Sequence, residues 1–284
     1  MSDTPLLVTP DWLADQGRDP AIKVIDASFH LPTSGRDVQA EFTAKHIPGA
    51  VLFDINQVKD QTSPLPHMLP SATEFGQMVG ALGIGNGDHV ITYDSVGIFS
   101  APRAWWMFRA MGHDQVSVLD GGLPAWKRAG HSTAQGATPS PTPTTFNVQR
   151  QDAMILDLAA MAAQVKNGAP VLDARAADRF AGAKPEPRAG LRSGHIPGST
   201  NLPFHQLLDS SHGGFLGTAQ LRAIFEQAGV DFDQPLITSC GSGVTAAVLT
   251  FALALLGKHD VQLYDGSWAE WGLEGGPAIA TGCP

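Results

Sequence analysis

Cysteine is almost missing from this chain: its 284 residues contain two, Cys240 and Cys283. That count excludes a disulfide framework at this length and favours a reducing compartment. No Cys-x-x-Cys or His-x-x-x-His pair is present, so no zinc site is expected. Charge is also sparse, at 16% of residues, and cations are outnumbered, with 18 Lys and Arg against 27 Asp and Glu and a net charge of −9. A nucleic-acid surface needs clustered positive charge, so nucleic acid is not an expected partner. An anionic small substrate stays compatible, because local arginines can override the global field. The most apolar stretch, Ala246 to Leu256, is too short to cross a bilayer. The acidic start Met1-Ser-Asp-Thr-Pro5 lacks the hydrophobic segment of a signal peptide. A cytoplasmic protein without membrane association is expected.

What the chain does have is a second copy of itself. Val24-Ile-Asp26 returns as Val171-Leu-Asp173, and His46-Ile-Pro-Gly49 as His195-Ile-Pro-Gly198. Val90-Ile-Thr-Tyr-Asp94 returns as Leu236-Ile-Thr-Ser-Cys240, and Val118-Leu-Asp120-Gly121 as Leu263-Tyr-Asp265-Gly266. The offsets are 147, 149, 146 and 145 residues, the mark of one tandem duplication. Between the copies, Thr133 to Thr145 is rich in Thr, Pro, Ala and Gly, with Pro139, Pro141 and Pro143 alternating. This reads as an extended linker with little capacity to form a core. The expected division is a domain over 1–135, a linker over 136–152 and a second domain over 153–284. In each copy short β-branched runs alternate with helical patterns, which predicts an α/β fold, a parallel sheet with helices on both faces. Ligands bind such sheets at the carboxyl ends of strands.

Cys240 stands at such an end. It closes the run Pro235-Leu-Ile-Thr-Ser239 and opens the loop Cys240-Gly-Ser-Gly-Val-Thr245 ahead of the apolar helix. Gly241 and Gly243 let the backbone curl so that several N–H groups turn toward the sulfur. The helix N-terminus adds a positive dipole end, and both effects favour the nucleophilic thiolate. A buried structural cysteine is the plain alternative, which the flanking glycines and hydroxyl disfavour. Ser242 can hydrogen-bond the sulfur or pass a proton, or be only a turn residue; Thr245 is expected to cap the following helix. In the first copy the matching position is Asp94, so only the second copy can carry thiol chemistry, and the first is a scaffold.

Tandem units with His-Ile-Pro-Gly motifs, a Cys-x-x-Gly-Val-Thr loop only in the second, and Asp-Gly-Gly and Asp-Gly-Ser turns resemble the two-domain rhodaneses over essentially the whole chain. The loop Cys240-Gly-Ser-Gly-Val-Thr245 is similar to that of the 3-mercaptopyruvate sulfurtransferases in that family. Thiosulfate-specific members carry larger, often cationic residues where Gly241 and Ser242 stand here. The charge argument agrees: thiosulfate, a compact dianion, would gain from a cation on the loop, whereas a keto acid carboxylate is served by arginine forks beside it. The resemblance assigns substrate binding to Arg179 and Arg188, in a Pro-broken segment expected to be a loop, with Gly241, Gly243, Val244 and Thr245 lining the site. Pairing of both arginines with Asp178 and Glu186 at the surface is the plain alternative.

The resemblance also implies that His67, in the Pro-rich stretch Ser63 to Pro70, joins Ser242 in proton transfer. The acidic partner of that histidine falls at Asn56, which cannot act as a base, with Asp54 and Asp60 nearby in sequence. His46 and His195 recur in both copies, including the one without a thiol, and so are expected to shape turns. Asp26 and Asp173 are expected to fix loops at strand ends, and Trp105, Trp106, Trp268 and Trp271 to pack. Cys283 is expected to be an exposed tail thiol.

The implied reaction is attack of the Cys240 thiolate on the sulfur of 3-mercaptopyruvate, leaving pyruvate and a Cys240 persulfide. Cyanide, a small thiol or thioredoxin then accepts the outer sulfur, with no metal or organic cofactor. The rivals are a thiosulfate sulfurtransferase and a non-catalytic carrier or binding protein of the same fold. A cysteine phosphatase would need an arginine six positions past the thiol, where this chain has Ala246.

Overall fold

A computed structural model describes residues 4–16, 19–138 and 140–282. Cys283 and Pro139 therefore lie outside the described residues. The chain divides into two compact units. One contains residues up to 61 together with 69–151 and 209–215; the other contains 62–68, 152–208 and 216 onward.

The first unit runs β1 (Leu7–Val8), α1 (Pro10–Gln16), β2 (Ile22–Asp26), α2 (Val38–Ala44), β3 (Val51–Leu52), α3 (Ala72–Ala81), β4 (His89–Tyr93), α4 (Ala101–Ala110), β5 (Val116–Leu119) and α5 (Gly122–Arg128). The second runs β6 (Ile155–Leu156), α6 (Leu158–Lys166), β7 (Val171–Asp173), α7 (Ala177–Phe180), β8 (Thr200–Asn201), α8 (Thr218–Gln227), β9 (Leu236–Ser239), α9 (Ala246–Leu255), β10 (Val261–Tyr264) and α10 (Ser267–Trp271). The strand orders are β1-β5-β4-β2-β3 and β6-β10-β9-β7-β8, and every strand pair is parallel.

The duplication read from the sequence is thus a duplication of topology. The chain steps one way across each sheet, then back the other way. With right-handed crossovers that reversal places helices on both faces. Burial on both faces explains why the central strands read as unbroken apolar runs: β9, Leu-Ile-Thr-Ser, is buried throughout, as are Val90 to Tyr93 of β4. α9 follows the same logic, with nine of its ten residues buried. α3 starts instead on a capping box, Ser71 and Glu74 each bonding the other's backbone N–H. The core beneath β7 and β9 gathers Met161, Val171, Ile237, Tyr264, Trp268 and Trp271.

The segment read as a linker is no free tether. Thr144 donates to Gly80 O at 2.9 Å and Gln149 to Met111 O at 3.0 Å, while Phe146 buries its ring against Phe75 and Phe108. Prolines and threonines keep it extended, and the backbone bonds then seat it along the first unit. Among the described residues no helix is long and apolar enough to cross a membrane.

Candidate active site

β9 ends at Ser239 and delivers Cys240 to the carboxyl edge of the second sheet. Its side chain is only 1% exposed. Gly243 has φ +74°, a left-handed turn that a side chain would strain, so glycine is required there. Gly241 is close-packed: a Cβ on it would sit 3.1 Å from Nη2 of Arg179. That places the Arg179 guanidinium directly over the loop.

Two amides of the loop are bonded away from the sulfur. Cys240 N–H and Gly243 N–H donate to Ser267 Oγ at 3.2 and 3.0 Å, and Ser267 donates in turn to Tyr264 O at 2.9 Å. The carbonyls of Cys240 and Gly241 accept from Trp268 and Ala269 at 2.9 and 2.8 Å. The amides of Gly241, Ser242, Val244 and Thr245 have no protein acceptor among the described residues. Thr245 occupies the N-cap of α9, but in α-helical conformation and without a side-chain cap bond, so its expected capping role is not what the structure holds.

The first unit shows what the same loop does around an anion. Asp94, fully buried in the position of Cys240, accepts from the amides of Val96, Gly97, Phe99, Ser100 and Ala101 at 2.8 to 3.1 Å. A carboxylate held by five N–H groups fills this cradle from within. The second unit repeats the loop with a thiol.

Around Cys240 lies a chain of charges that the sequence did not reveal. Asp173, at the end of β7, accepts from Nη2 and Nε of the wholly buried Arg175 at 2.7 and 3.0 Å. Arg175 also donates to Gly194 O at 2.9 Å and to Glu186 at 2.8 Å. Glu186, with a side chain 2% exposed, gives its second oxygen to Arg179. Burial presses the Arg175 pKa down, but the charges and bonds of Asp173 and Glu186 outweigh it and leave it above the usual value. Arg179 stands in the short helix α7, a correction to the loop expected there: no breaker intervenes between Ala176 and Gly182.

Glu186 is thus occupied by Arg175 and Arg179, and Asp178 pairs with Lys184 at 3.6 Å. Arg188 forms no ion pair or hydrogen bond among the described residues. Burial lowers its pKa, Arg179 lowers it further, and the fields of Cys240 and Glu186 raise it. This half-buried cation near the thiol has no ion-pair partner among the described residues.

His67 belongs to the second unit, and its Nδ1 lies 3.1 Å from Ser242 Oγ, with both residues buried. Its φ of +60° is unusual for a non-glycine residue. Asp54 accepts the Asn56 amide at 2.8 Å and closes a local turn of the first unit. His46 and His195 each bond a helix-end carbonyl, Phe42 O at 2.8 Å and Phe180 O at 2.9 Å, while stacking on the same phenylalanine. That use in both copies is the turn-shaping one.

Comparison with known proteins agrees with this architecture. The rhodanese-like domain family matches residues 9–129 and again 157–274. Human 3-mercaptopyruvate sulfurtransferase is 44% identical over 278 residues, covering 95% of this chain and 93% of that protein. The Arabidopsis thaliana thiosulfate/3-mercaptopyruvate sulfurtransferase 1 is 42% identical, covering 93% of this chain and 75% of its own. The crystal structure of SseA from Escherichia coli, a 3-mercaptopyruvate sulfotransferase, aligns with a TM-score of 0.84 at 43% identity, over 93% of this chain and 99% of that one. Two matched copies of the domain, with the thiol loop in the second alone, make this chain a tandem-domain member of the rhodanese family.

Proposed function

We propose that the protein is a sulfurtransferase that takes the sulfur of 3-mercaptopyruvate onto Cys240. The thiolate attacks the donor's thiol sulfur, and the carbon–sulfur bond breaks with its electron pair leaving as the enolate of pyruvate. The enolate takes a proton to become pyruvate, and Cys240 is left as the persulfide. Cyanide or a thiolate then attacks the outer sulfur and restores the Cys240 thiolate, so the kinetics are ping-pong.

Arg188 carries the choice of donor. A cation beside the thiol, without a protein counter-ion among the described residues, suits one carboxylate. Arg179, held by Glu186 over Gly241, is suited to the donor carbonyl and to the negative charge that develops there as the enolate leaves. Ser242 and His67 form the proton path to the enolate. Gly243, Val244 and Thr245 line the loop. A small thiol or reduced thioredoxin is the acceptor in this reading, and the cytoplasm the compartment.

Thiosulfate is the competing donor, since sulfurtransferases of both names are relatives. The loop residues Gly241 and Ser242 bring no cation of their own to a dianion. Incubation with each donor followed by intact mass measurement, with kcat/KM for both, tests the reading. One added sulfur from 3-mercaptopyruvate, lost in Cys240→Ser, is expected. A higher kcat/KM for thiosulfate would overturn the donor, and no sulfur gain from either would overturn the enzyme.

A further inference from the structure

Ser267 is, with His67, one of two non-glycine residues with positive φ among the described residues. It is 0% exposed and has φ +51°, a left-handed conformation that strains a non-glycine residue. The duplication provides an internal control. At the corresponding place the first copy has Gly122, with nearly the same φ of +53°. A side chain there would press against the carbonyl oxygens of Asp94 and Gly97. One copy therefore meets the backbone requirement with the residue that bears it freely, and the other meets it with a strained serine.

The partner of each residue differs in step. In the first unit the Gly97 amide donates to the Asp94 carboxylate at 3.0 Å. In the second, Gly243 matches Gly97, and its amide donates to Ser267 Oγ at 3.0 Å, joined by the amide of Cys240 itself. The Asp94 carboxylate satisfies the Gly97 amide from within its own loop; a thiol is a poor acceptor for such a donor. Left alone in a buried turn, those two donors would be unsatisfied, and the loop would shift to find water. The Ser267 hydroxyl takes both and is fixed by its own bond to Tyr264 O. With the inner amides anchored, those of Gly241, Ser242, Val244 and Thr245 are left for a negatively charged sulfur.

We propose that Ser267 is a positioning residue of the thiol loop: it pins the Gly243 amide as Asp94 pins that of Gly97 in the first copy, adds the Cys240 amide, and so keeps the outer amides aligned on the Cys240 thiolate. Asp with Gly makes an inert loop, and Cys with Ser makes a reactive one. The proposal rests on Cys240 being the nucleophile, but not on the identity of the sulfur donor.

The test measures thiol reactivity without any sulfur donor. In a Cys283→Ser background, the rate of Cys240 alkylation by iodoacetamide is followed against pH for the parent, Ser267→Gly and Ser267→Ala, with thermal melts alongside. Glycine removes the hydroxyl and relieves the positive φ, so Ser267→Gly is expected to melt within a few degrees of the parent. Its alkylation midpoint is expected to rise by about one pH unit, with the rate at neutral pH falling roughly tenfold. Ser267→Ala should show the same shift with a lower melting temperature. A native midpoint in Ser267→Gly overturns the proposal, whether its melting temperature is unchanged or falls. Failure to gain sulfur from 3-mercaptopyruvate while the midpoint still moves would instead overturn only the assigned donor.

Discussion

The guanidinium of Arg175 lies over the ring of Trp268, 4.4 Å from its centroid, while its nitrogens bond Asp173 and Glu186. One buried cation thereby ties the end of β7 to α10 and to the carboxylate that steers Arg179. Replacing Arg175 by methionine would leave the buried Asp173 without its cation and Glu186 with Arg179 alone, at a cost of about 3–5 kcal/mol in urea unfolding. Lysine would also destabilise, because it can neither fork across Asp173 and Glu186 nor stack as guanidinium does. Full stability in Arg175→Lys would show that the fork is dispensable.

The Asp94 cradle makes a prediction for the half of the chain without a nucleophile. Asp94→Ala removes the acceptor of five amides at once and should cost at least about 3 kcal/mol. Asp94→Asn restores one acceptor oxygen and should recover part of the loss. Denaturant titration of the two variants checks the order.

Arg188→Ala should lower kcat/KM for 3-mercaptopyruvate by about 10- to 150-fold, the range of one or two charge-assisted hydrogen bonds. Arg188→Lys should recover little of it, since lysine cannot make a two-point contact with a carboxylate. Steady-state kinetics with the two variants is the measurement, and a fully active lysine variant would remove Arg188 from substrate binding.

Glu270 accepts from Tyr264 OH at 2.8 Å. Burial raises its pKa, and Asp265 and Asp157 add to the rise against the opposing bond from Tyr264. A carboxyl whose pKa is higher folded than unfolded binds its proton more tightly in the native state. Its charge therefore works against folding at neutral pH, and that cost is relieved as pH falls through the raised pKa toward the unfolded value. Glu270→Gln should raise the melting temperature slightly at neutral pH, by less than about 1 kcal/mol or roughly 3 °C. The gain should shrink on acidification; a gain that grows with acid would contradict the assigned direction.

Much of this was written in the sequence because duplication doubles every signal. β7, β9 and β10 start and stop where the apolar runs do. Cys240 was legible for the same reason: the strand before it repeats that before Asp94, so a thiol stands where the first copy has a carboxylate. Arg175 was not legible, because an arginine after a strand reads as a surface cation until Trp268 and Glu186 fold onto it. Only its contrast with Ser28, the matching residue of the first copy, gave any sign. Ser267 was hidden by its turn: Asp265-Gly-Ser267 suits any tight bend, and positive φ on the serine has no signature in composition. Phe146 was missed because prolines and threonines around it dominate the composition.

Residues 62–68 come from the first half of the gene and pack within the second unit; residues 209–215 do the reverse. Cutting such a protein between its repeats does not yield two self-sufficient parts. The catalytic fragment would lose the histidine that stands 3.1 Å from Ser242. Recombination that shuffled either repeat into another gene would carry off a strap that packs within the remaining unit. Deleting either repeat would remove a segment that belongs to the other's compact unit, so the duplication is no longer a simple redundancy.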